Sequence, residues 1–84
     1  MTGDEEEQAA RLAMLQKVGA ALYGDAFRDG RPGWVHPLGD ALGVSRRAME
    51  RWARGDGHVP DLRAELRHLC LARGEALLEL AKAL

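Results

Sequence analysis

The tetrapeptide Leu42-Gly43-Val44-Ser45 most constrains what this chain can fold into. Glycine enters the left-handed conformation that a sharp helix C-terminus requires. Serine is a good N-cap, because its hydroxyl accepts from a free amide of the turn that follows. The pair predicts that one helix stops at Gly43 and the next begins directly after Ser45. On the near side, Val35, Leu38, Gly39 and Leu42 recur at three- and four-residue steps, on one face of a helix over residues 34–43. Pro37 suits its first turn, where the missing amide costs nothing. On the far side, Ala48, Met49, Trp52 and Ala53 face one way, while Arg46, Arg47, Glu50, Arg51 and Arg54 face the other or flank it. Val44 points back inward.

The stretch from Trp34 to Gly55, WVHPLGDALGVSRRAMERWARG, resembles the helix-turn-helix of phage and bacterial repressors, the Cro-like and Xre-like families. The resemblance rests on Gly39, a small residue four positions before the turn glycine, and on the Leu42–Ser45 turn. Met49 and Trp52 also stand where the family keeps apolar residues. Alanine is commoner than glycine at the place of Gly39. The blander reading of the same stretch is an ordinary αα-hairpin in a helical bundle. The resemblance implies an all-α, lambda-repressor-like fold of four or five helices. It also implies a small transcription regulator similar to phage-encoded repressors and to regulators associated with anti-CRISPR operons, which occlude polymerase at their own promoter.

Eighty-four residues make one small domain with a limited core, spanning 1–84 with the motif at 34–55. The single cysteine excludes an internal disulfide and a two-cysteine metal site. His36, His58, His68 and Cys70 are the soft ligands, and His68 and Cys70, two apart on a helix, point in different directions. No metal and no cofactor are expected. The carboxylates are scattered, and no glycine-rich phosphate loop follows a strand, since no strand is expected at all. The reading is a non-enzyme without a small-molecule substrate. No apolar run has the length of a membrane span. The acidic start, MTGDEEEQ, is unlike a basic signal or transit peptide, which makes a cytoplasmic protein the expectation.

The formal net charge is −1, but its distribution is uneven. Residues 45–54 carry four arginines against one glutamate, whereas residues 1–7 carry four acids and no base. Binding depends on the local face, because salt screens charges beyond about 10 Å.

Residues 2–24 read as a first helix, with Asp4 as N-cap and Glu7 three residues on. Its apolar stripe is Leu12, Leu15, Val18 or Gly19, and Leu22. Residues 24–33, GDAFRDGRPG, read as a linker in which Phe27 tucks against the core and Arg28 and Arg31 are candidates for phosphate contacts. The break at 55–58 predicts a last helical segment from Pro60 to Leu84, whole or divided at Gly74. Its apolar face is wider than one short helix needs, which suggests a dimer contact through Leu71, Leu77, Leu78 and Leu80. The expected core joins Trp52, Met49, Leu42, Val44 and Leu38 to Leu15, Leu22 and Leu66.

The expected partner is double-stranded DNA, read by a homodimer at an inverted-repeat operator. Arg47 and Glu50, with Arg51 beside them, are assigned to bases, where arginine pairs with guanine and glutamate with the cytosine amino group. Arg46 and Arg54 are assigned to phosphates, and Ser45 helps to hold the helix end. The rival from another class is a protein-interaction module, antitoxin- or adaptor-like, that uses the same helices without DNA. The DNA-binding piece of a recombinase is a third reading.

Overall fold

Four helices and one short hairpin carry the chain in the computed structural model, which describes residues 2–84. Helix α1 spans Thr2–Tyr23, followed by strands β1 (Phe27–Arg28) and β2 (Arg31–Pro32). Helices α2 (Val35–Leu42), α3 (Arg46–Ala53) and α4 (Arg63–Ala83) complete the order. The helical expectation holds, and the expectation of no strand does not. Asp29 (φ 55°) and Gly30 (φ 79°) both take positive φ, the two-residue turn that matches strand twist and favours Asp-Gly. The antiparallel register sets Phe27 opposite Pro32 and Arg28 opposite Arg31.

The core lies where α1, α2, α3 and the first half of α4 converge. Leu15, Trp34, Val35, Leu38, Met49 and Leu66 form one buried cluster, with Leu42, Val44, Trp52, Leu62 and Leu69 packed around it. Two glycines let the helices close on it. Trp34 lies flat on Gly19 of α1, where an added Cβ would stand 2.6 Å from the indole. Met49 of α3 occupies the equivalent space over Gly39 of α2, with its Cβ 3.2 Å from such an atom.

Several expectations are corrected. Phe27 does not tuck inward: it is 74% exposed, because a two-residue strand pairs only with β2 and has no layer behind it. Leu22 is half-buried and outside the cluster, and Trp34 fills the centre while Trp52 packs at its edge. Helix α1 already runs from Thr2, so Asp4 lies in its first turn and is not the N-cap, and Glu7 pairs with Arg11 at 2.6 Å. Helix α4 begins at Arg63, not Pro60; Asp61 accepts from the Arg63 amide at 3.1 Å.

The extended segment before α4 is held by α1. Val59 is buried, its amide donates to Gln8 Oε1 (2.7 Å), and its carbonyl accepts from Gln8 Nε2 (3.1 Å) and Arg11 Nη1 (3.2 Å). Helix α4 then runs through Gly74 without a break. Beyond Leu69 it leaves the body, and every residue except Gly74 is exposed, Cys70 included. Among the described residues, no helix is long and apolar enough to cross a membrane.

Candidate nucleic-acid interface

Helices α2 and α3, eight residues each, are fixed to one another by the local chemistry of their junction. Gly43 takes the left-handed conformation (φ 72°), and the amides of Gly43 and Val44 close on the carbonyls of Asp40 and Gly39. Ser45 is extended, and its Oγ accepts from the Ala48 amide at 3.2 Å. Both roles are the ones the sequence predicts. Met49 over Gly39 then sets which side of α3 faces inward.

The opposite side of α3 carries the arginines. Arg46, Arg47, Arg51 and Arg54 are all exposed. Arg46 Nη2 is bonded to Asp40 at 3.1 Å, and Arg54 Nε to Asp56 at 3.3 Å. Both pairs are solvent-exposed, where an ion pair is worth little and yields readily to another anion. Arg47 and Arg51 have no ion-pair partner among the described residues. The Arg51 guanidinium lies across Gly57, with Nη2 2.9 Å from where a Cβ would stand there.

Glu50 departs from the exposed ridge expected of it. Its Oε2 lies 2.6 Å from His36 Nε2 on α2 and 3.9 Å from Arg31 Nη1 on β2. Arg31 Nη2 in turn meets His36 Nδ1 at 3.3 Å. Arginine only donates, so Nδ1 accepts and Nε2 carries the proton given to Glu50. His36 thus ties the hairpin, α2 and α3 together. Arg28 has no such tie among the described residues and is exposed, so it is the freer of the two hairpin arginines. The spacing of 14 residues between His36 and Glu50 leaves no local signal for this pair.

The His36 hydrogen bond, aided by the charges of Arg31 and Arg54 and opposed by partial burial, holds the Glu50 carboxyl below its ordinary value of 4.5. A carboxyl lowered in the folded state stabilises the fold above the ordinary value, and that contribution disappears as pH falls through the folded value. Melting curves of wild type and Glu50→Gln should therefore differ at neutral pH and converge in acid below 4.5. A gap that stays constant into strong acid would mean that the carboxylate charge plays no part.

Among the described residues no group of three or more His, Cys, Asp or Glu side chains is arranged to hold a metal ion. The leucines expected at a dimer contact, Leu71, Leu77, Leu78 and Leu80, all stand exposed on the projecting half of α4. No family model, characterised protein or solved structure matches this chain.

Proposed function

We propose that this chain is a sequence-specific DNA-binding regulator that inserts α3 into the major groove as a helix-turn-helix reading head, with α2 bracing it across the backbone. One observation carries the reading: a short helix, fixed on its inner side by Met49 over Gly39, presents Arg47, Arg51 and Arg54 outward at four- and three-residue steps. Such a ridge matches the reach of side chains into a groove. Arg47, without an ion partner among the described residues, is the base reader, with Arg51 beside it. Arg46 and Arg54 exchange their exposed aspartate partners for phosphates, and Ser45 holds the helix end. Glu50, whose Oε2 is engaged by His36, serves to set the angle of α3 rather than to read a base. By the resemblance, the protein acts as a homodimeric repressor on an inverted repeat.

A gel shift with the gene's own upstream DNA, against scrambled DNA at several salt concentrations, tests the proposal and separates it from an interaction module that ignores DNA. Arg47→Ala should cost about 1–3 kcal/mol and relax preference at one base pair per half-site, whereas Arg54→Ala should weaken all sequences alike and shallow the salt slope by about one. Binding-site selection on both variants decides between the roles. If Arg47→Ala keeps the wild-type preference and only binds more weakly, the arginines supply charge and nothing more.

A further inference from the structure

The end of α3 is closed by its own last turn. Arg54 caps the helix, and Gly55 takes the left-handed conformation (φ 79°), its amide donating to the Trp52 carbonyl at 2.9 Å. The Asp56 amide reaches further back, to the Arg51 carbonyl, also at 2.9 Å. This paired closure turns the chain back along the helix instead of away from it. Gly57, again left-handed (φ 82°), thereby comes to lie beside the side chain of Arg51. The guanidinium rests against the side of Gly57 that a Cβ would occupy, with Nη2 2.9 Å, Cζ 3.7 Å and Nε 3.8 Å from that point.

The arginines of α3 are therefore held in different ways. Arg46 and Arg54 are placed by carboxylates, Asp40 and Asp56, which take up donors and offset charge. Arg51 is placed by contact with a backbone that has no side chain. Among the described residues its guanidinium has no hydrogen-bond or ion-pair partner, so all five N–H donors are unspent. Reading guanine takes two of those donors, aimed together at O6 and N7. A long side chain loses rotamer freedom when it binds, and one already confined loses less. Position without neutralisation is the combination that such a contact needs.

We propose that Gly57 is a specificity-determining residue of the reading head, which directs Arg51 to one guanine of the operator without touching DNA itself. The proposal rests on α3 being the helix that enters the groove. A Cβ at residue 57 would push the guanidinium aside, because the far end of an arginine swings freely.

A glycine kept only for its positive φ would behave differently. Asparagine separates the two requirements, since it tolerates positive φ and yet carries a Cβ. In binding-site selection, Gly57→Asn should relax preference at one base pair of each half-site roughly tenfold, and Arg51→Ala should relax the same pair. In the Arg51→Ala background, Gly57→Asn should change nothing further. Arg51→Lys, which leaves the loop untouched, should lose that preference and keep the salt dependence, because an ammonium retains the charge without the planar fork. Wild-type preference in Gly57→Asn or in Arg51→Lys overturns the role of Gly57 and leaves α3 reading through Arg47. An effect of Gly57→Asn that persists without Arg51 also overturns it. A wild-type chain that selects no sequence overturns this proposal and the reading of α3 together.

Discussion

Trp34→Ala is expected to cost about 3–5 kcal/mol, a large share of the roughly 5–15 kcal/mol that holds a small domain together. The indole is 3% exposed and stands at the N-terminal end of α2. It lies on the backbone of α1 at Gly19, where there is no side chain to fend it off. Removing it opens a cavity at the centre of the cluster it forms with Leu15, Val35 and Leu38. Trp52→Ala should cost less, because that ring is half-buried at the edge of the cluster. Urea titrations of both variants measure the order directly. A larger loss for Trp52→Ala would show that the core is centred on α3 rather than on the α1–α2 contact.

Met49→Ala should cost about 2–5 kcal/mol, since the side chain is fully buried between α2 and α3. Gly39→Ala is the more informative partner. In an open helix this change gains about 1 kcal/mol of propensity. Here the new methyl would collide with Met49 Cγ and press its Cβ, atoms close to the backbone that cannot swing away. Overpacking of this kind costs about 1–3 kcal/mol, so the single change should be destabilising. In the Met49→Ala background the collision is gone and the methyl fills part of the void. There Gly39→Ala should become stabilising. Such a reversal of sign in a double-mutant cycle reports direct contact. If Gly39→Ala has the same effect in both backgrounds, the two helices do not approach as described.

The parts of the structure that the sequence reveals are those decided within a few residues. Gly43 and Ser45 act on their own backbone neighbours, and the periodic apolar residues of α1, α2 and α3 declare their inner faces. The hairpin is not legible because strands of two residues give no periodicity; its one signal, Asp29-Gly30, lies in a glycine-rich stretch that also reads as a linker. The hydrophobicity of Phe27 points inward, but it says nothing about whether a second layer exists to receive the ring. Likewise, Pro60 marks where an extended segment is allowed, while the start of α4 is set three residues later beside Asp61. At the candidate interface the arginines were legible as a ridge. The inward hold on Glu50 was not, because it depends on His36 and Arg31 being brought to it by the fold.

The fastening of Val59 has a consequence for how the molecule opens. The carboxamide of Gln8 satisfies both the amide and the carbonyl of a residue 51 positions away, as a neighbouring strand would, and Arg11 adds a second hold on the carbonyl. Because Val59 is buried, freeing it exposes backbone groups with no alternative protein partner. The second turn of α1 and the segment that leads into α4 are therefore coupled: opening that frees Val59 breaks its bonds to Gln8 and to Arg11 together.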